Sequence, residues 1–286
     1  MFHFQPDPVP ALLSRLWLVG CGAMGGALLT RWLESGLPGE AVTVIDPAPR
    51  GLPDAFAGRL VADAAAAGEA PSLVVLGIKP QMLGAIGPGV AALAGATPVL
   101  SMMAGVRIAS LQALFAGRVI RMMPNTPARI GQGVTALFSE DADAGVRAGV
   151  EWLASAAGSL LWLEEEAQFD AVTALSGSGP AYLFRFIEVL ASAAEAVGLP
   201  TAMARQLALD TVTGSAALAA QSDLSPAALR EQVTSPNGTT AAGLQRLDGD
   251  GLLTNLMRAT VRAAADRSRQ MAEAAEAAPP KTGVAL

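Results

Sequence analysis

The chain has 286 residues, of which 52% are hydrophobic, 15% charged and 5% aromatic. It can therefore bury a sizeable core, is not disordered, and at roughly 150 residues per domain divides into two domains. A net charge of −6 with no basic run anywhere excludes a nucleic-acid surface. One cysteine, Cys21, and one histidine, His3, exclude intramolecular disulfides, cysteine-built zinc sites and histidine-based catalysis, and fit a reducing cytoplasm.

Residues 1–11, punctuated by Pro6, Pro8 and Pro10, read as a tail. It shows no basic segment before an apolar run, so no signal peptide is expected. Short apolar runs predict strands over residues 15–19, 41–45, 73–78, 97–101 and 118–122, with weaker candidates at 133–138 and 159–163. Helical patterns lie between them, the signature of a parallel sheet covered by helices. The uncharged stretch 80–106 is long enough to raise a membrane span. Pro88, Pro98 and repeated glycines break it into helix, loop and buried strand. Near Glu164, Glu165 and Glu166 the character changes, and the rest reads as helical. One helix opens at Ser178-Gly179-Pro180 and stops at Gly198-Leu199-Pro200. Its polar stripe of Arg185, Glu188, Ser192 and Glu195 is narrow, so it belongs in a bundle centre or an oligomer interface. The last residues, 276–286, read as a second tail.

Gly20-Cys21-Gly22-Ala23-Met24-Gly25 follows the first predicted strand and opens a helix. In such a loop the first glycine makes the tight turn and the second admits a pyrophosphate. The third allows close helix–strand packing, and the helix N-terminus favours the phosphate charge. Asp46 ends the second predicted strand, where an acidic group binds the adenosine ribose. These residues make the first half a Rossmann-type dinucleotide-binding domain. Cys21 reads as a small loop residue rather than a redox group.

From about residue 16 to residue 271 the chain resembles the pyrroline-5-carboxylate reductases. The matching pieces are the glycine loop, Gly77-Ile78-Lys79-Pro80, Ser101-Met102-Met103-Ala104-Gly105, and Arg121-Met122-Met123-Pro124-Asn125-Thr126-Pro127. Two further pieces are the specific ones: Leu175-Ser176-Gly177-Ser178-Gly179-Pro180-Ala181-Tyr182 and Val233-Thr234-Ser235-Pro236-Asn237-Gly238-Thr239-Thr240. The resemblance implies an α/β Rossmann-type domain with a parallel sheet over 12–165 and an all-α dimerisation domain over 166–275. It also implies a homodimer or larger homo-oligomer in the cytoplasm. The activity implied is reduction of L-1-pyrroline-5-carboxylate to L-proline with NADPH or NADH and no metal.

By the same resemblance the cofactor is bordered by Gly20, Gly22, Ala23, Met24, Gly25, Asp46, Ile78, Lys79, Pro80, Met103, Ala104, Gly105 and Asn125. Asn125 either faces the nicotinamide or caps a turn. Ser235, Gly238, Thr239 and Thr240 would hold the substrate carboxylate, and Thr240 would hydrogen-bond the ring nitrogen, donating a proton or only orienting the ring. Relatives generally carry glycine where Asn237 stands; asparagine tolerates the left-handed backbone better than most residues. Cofactor choice pulls the other way from the family, many of whose members prefer NADPH. A carboxylate at position 46 repels a 2′-phosphate, so NADH is expected to serve at least as well. A β-hydroxyacid dehydrogenase shares this plan but needs a lysine in the helical half, and none stands between Gly177 and Pro280. A non-catalytic dinucleotide sensor is the alternative from another class, and turnover with proline separates the two.

Overall fold

The structure is a computed structural model. It describes the backbone of residues 8–277 and side chains through Glu273; His3, Lys281 and most of both expected tails lie outside the described residues. By packing, the described chain falls into two units. One holds the residues up to Gly177 together with those from Ala264 onward, and the other is Ser178–Ala263.

The first unit is built on an eight-stranded sheet in the order β3-β2-β1-β4-β5-β6-β7-β8. Its strands are β1 (Leu16–Val19), β2 (Val42–Ile45), β3 (Arg59–Val61), β4 (Leu73–Leu76), β5 (Val99–Ser101), β6 (Val119–Met123), β7 (Gly133–Phe138) and β8 (Gly158–Trp162). Helices α1 (Ala23–Glu34), α2 (Leu83–Ala94), α3 (Ile108–Gln112), α4 (Ala144–Ser155) and α5 (Gln168–Val172) belong to the same unit. Central strands β1 and β4 are buried at every position, as a sheet covered on both faces requires. Two buried clusters carry the cover. One includes Leu28, Leu29, Trp32 and Leu153, and the other Val90, Ile108, Leu111 and Phe115.

Two features of the sheet depart from the sequence expectation. β3 was not expected; it is a three-residue edge strand with largely exposed side chains, parallel to β2. The sheet is also not wholly parallel, because β7 runs antiparallel to β6 and β8 follows β7. Only residues 124–132 join β6 to β7, too few for the crossover that a parallel pair needs.

The second unit is helical: α6 (Gly179–Ala196), α7 (Thr201–Gln221), α8 (Pro226–Gln232), α9 (Thr239–Asp248) and the first part of α10 (Leu252–Ala277). α10 continues into the first unit, and residues 276–277, expected as tail, are still helical. A π turn, Thr173–Gly177, precedes α6. Among the described residues no helix is long and apolar enough to cross a membrane.

Candidate active site

The strand order reverses between β1 and β4, and open α/β sheets bind ligands at the C-terminal strand ends beside such a reversal. Gly20 leaves β1 at φ 91°, a left-handed conformation that favours glycine, and its N–H donates to Ile45 O at 2.9 Å. A Cβ at Gly20 would lie 2.9 Å from the backbone of Gly77 and Ile78, so the loops after β1 and β4 touch. One at Gly25 would lie 2.7 Å from Gly20 O. Gly22, by contrast, faces open space, with nothing within 4 Å of the position a Cβ would take. It stands at the N-cap of the twelve-residue α1, where no side chain caps the free N–H groups. A close approach for phosphate, free amides and the helix dipole therefore coincide, so the loop fits a dinucleotide pyrophosphate. Ala23 and Met24 form the first turn of that helix.

Asp46 fastens this loop. Its Oδ2 accepts from Cys21 N at 2.8 Å and its Oδ1 from Ala48 N at 2.9 Å. Cys21 O in turn accepts from Arg50 N at 3.2 Å and Gly51 N at 3.0 Å. The turn after β2 is thus tied to the glycine loop by three hydrogen bonds and closed on itself by a fourth. Cys21 is fully buried beneath it, and burial first, with the Asp46 charge second, pushes its thiol up to about 11.

Two further loops share this edge. After β4 come Gly77, whose N–H donates to Val19 O at 2.7 Å, buried Ile78, exposed Lys79 and Pro80, which opens a 3-10 turn. After β5, Met102 N donates to Leu76 O at 3.1 Å, and buried Met103 leads through Ala104 to Gly105 at φ 73°. The sheet edge so assembled brings together the sequence-derived cofactor residues of the segments that follow β1, β2, β4 and β5.

Asn125 follows β6, 8% exposed. Its Oδ1 accepts from Val134 N at 2.9 Å, and its Nδ2 donates to Ser176 O, in the π turn, at 3.1 Å. The side chain ties β7 to that turn, with one amide hydrogen left beyond these two bonds. Sequence patterns missed a neighbouring ion pair. Arg121, 6% exposed, reaches Glu166 Oε1 at 2.7 Å and stacks 4.2 Å over the Phe169 ring. Burial lowers the Arg121 pKa and Glu166 opposes the shift.

The residues expected to hold substrate lie in the second unit. Ser235-Pro236-Asn237-Gly238 forms a turn closed by Gly238 N donating to Ser235 O at 3.1 Å. Proline at the second position and φ 61° at Asn237 follow the type II pattern, so asparagine adopts the left-handed backbone here. Gly238 is the N-cap of α9 and supplies no side-chain cap, which leaves N–H groups of the first turn beside exposed Ser235, Thr239 and Thr240.

Fold and crevice define a dinucleotide-binding oxidoreductase with a helical second unit. Residues 15–105 match the model for NADP oxidoreductase, coenzyme F420-dependent, and 166–271 match that for pyrroline-5-carboxylate reductase dimerisation. A Pseudomonas aeruginosa pyrroline-5-carboxylate reductase is 38% identical, covering 91% of this chain and 97% of its own length. One from Glycine max is 36% identical, with 92% and 98% covered. Among solved structures, the Coxiella burnetii pyrroline-5-carboxylate reductase matches with a TM-score of 0.84 at 29% identity, covering 91% of this chain and 98% of its own. The Plasmodium falciparum enzyme, solved with NADP bound, gives 0.79 at 25%, covering 90% and 98%. This chain belongs to the pyrroline-5-carboxylate reductase family.

Proposed function

We propose that this chain reduces L-1-pyrroline-5-carboxylate to L-proline with NADH or NADPH, acting as a homo-oligomer in the cytoplasm. The observation that carries the reading is near-full-length likeness to reductases of that name, several of them 34–38% identical. A single, buried free thiol suits a reducing compartment. The domains divide at residue 166, in keeping with the start of the family model there, while the packing boundary falls at Gly177/Ser178.

When bound, the dinucleotide supplies the hydride for the C=N carbon. The protein's own residues bind and orient. Gly22, Ala23 and Met24 hold the pyrophosphate with backbone N–H groups and the α1 dipole, and Asp46 takes the adenosine ribose. Residues 78–80 and 103–105, with Asn125, border the rest of the cofactor. Ser235, Thr239 and the backbone amides from Gly238 onward hold the substrate carboxylate, an anion suited to an uncapped helix start. Thr240 hydrogen-bonds the ring nitrogen. An imine that arrives protonated needs no strong side-chain acid, so positioning carries most of the catalysis.

The test is nicotinamide absorbance, followed with L-proline at alkaline pH and with the imine at neutral pH. Turnover in both directions is expected, and binding of dinucleotide without turnover would leave a sensor instead.

A further inference from the structure

Three fastenings converge on the loop that leaves β5, and none of them comes from the glycine-loop side of the crevice. Ile108 N, at its far end, donates to Glu166 Oε1 at 2.7 Å. The same oxygen accepts from buried Arg121 Nη1 at 2.7 Å, so Glu166 is itself held from two directions. Ala104 packs on a small cluster that includes Phe169 and Met123. Gly105 lies against the last turns of α10. A Cβ there would stand 3.3 Å from Ala272 N and 3.5 Å from its Cα, and Ala272 is buried. That stretch of α10 is anchored by Ser268, whose Oγ donates to Asp170 Oδ1 on α5 at 2.6 Å. Residues as far apart in sequence as Glu166 and Ala272 thus bear on three points between Ala104 and Ile108.

We propose that Glu166 and the C-terminal turns of α10 form a brace that positions the Met103-Ala104-Gly105 loop and so sets the affinity for the dinucleotide. The proposal rests on the reading that this loop borders the cofactor. Glu166 and Ser268 are positioning residues that act through Ile108 and Gly105. Without the brace the loop keeps its fastening to β4 but gains freedom at Gly105, whose left-handed backbone nothing else in this set of contacts restrains.

The experiment compares Ser268→Ala, Ser268→Thr and Glu166→Gln with the parent protein. NADH affinity is read by calorimetric titration, and kcat and both KM values by steady-state assay. Ser268→Ala and Glu166→Gln are expected to raise the NADH Kd and KM about fivefold. At saturating NADH, kcat and the imine KM should stay within about twofold, and Ser268→Thr should restore the parent Kd. An unchanged Kd in Ser268→Ala, whatever the melting temperature does, would overturn the brace. Should Glu166→Gln not fold, Ser268→Ala decides alone. A parent protein that binds neither NADH nor NADPH would instead overturn the cofactor reading, and the brace with it.

Discussion

Thr240 stands exposed on the first turn of α9, so its removal should leave the fold alone. Loss of one positioned hydrogen bond in a closed site costs about 10²-fold in rate. Thr240→Ala is therefore expected to lower kcat/KM for the imine by about that factor, with Thr240→Ser recovering much of it. A change within about twofold would remove Thr240 from the mechanism. Asp46 carries a second prediction. Both carboxylate oxygens are engaged at the glycine loop, and the turn bearing Arg50 is pinned through its own backbone to Cys21 O. A 2′-phosphate beside that carboxylate meets a like-charge penalty of about 1–3 kcal/mol. NADH should then match or exceed NADPH in kcat/KM, and Asp46→Asn, which keeps an acceptor for Cys21 N–H, should shift the choice toward NADPH. An NADPH preference of about tenfold in the parent, removed by Arg50→Ala, would contradict this. Cys21 gives a pH test. With its folded pKa raised to about 11 by burial, the native state keeps a proton that the unfolded state releases near 9. The contribution to stability is whole below pH 9 and is lost as pH rises toward 11. Alkylation at pH 8 should require denaturant, and rapid labelling of the native protein would refute the buried thiol.

Between elements, the Arg121–Glu166 pair joins β6 to the segment entering α5, with Phe169 completing the enclosure. Breaking a buried pair by removing one partner costs about 3–5 kcal/mol, and Glu166, about a quarter exposed, places this pair at the low end. Glu166→Ala should therefore lower stability by about 3 kcal/mol in urea unfolding, whereas Glu166→Ala combined with Arg121→Met should recover most of it. An additive double mutant would show that the charges do not depend on each other. This pair was invisible in the sequence because its members lie far apart and no local period links them; Glu166 read only as the point where the chain changes character. Strands with continuous apolar runs, such as 73–78, were plain, and so was the glycine loop, where Gly20 and Gly25 meet close backbone and Gly22 faces open space. β3 was not, because three residues with exposed side chains carry no alternation to read. The reversal at β7 was legible in principle from the short link after Met123. Asn125 stayed ambiguous for a different reason. Its two side-chain bonds go to Val134 and Ser176, and the second of these depends on how the π turn folds back.

For the whole molecule, the second unit leaves more apolar surface bare than one chain can cover. Leu183, Phe184, Phe186 and Val189 on α6 are all exposed, and so is Val197 at its C-cap, at 84%. At about 100° per residue these positions spread around most of the helix. A helix that meets solvent on one side would show a single apolar stripe instead. α6 and α7 bury only the small side chains Ala191, Ala204 and Ala208. α7 and α10 add Met203, Leu207, Leu209, Leu218, Leu252 and Leu256 to the exposed set. An exposed apolar surface of this extent marks an interface, and the segment matches a dimerisation model. Isologous pairing of two such units covers the same patch on both chains at once. Light scattering should therefore report at least twice the 29.0 kDa of one chain, with a melting temperature that rises with protein concentration. Phe184→Glu places a charge in that surface and should lower both oligomer mass and activity, while Rossmann-unit binding of NADH is retained. A stable, active monomer of the parent chain would refute the assembly.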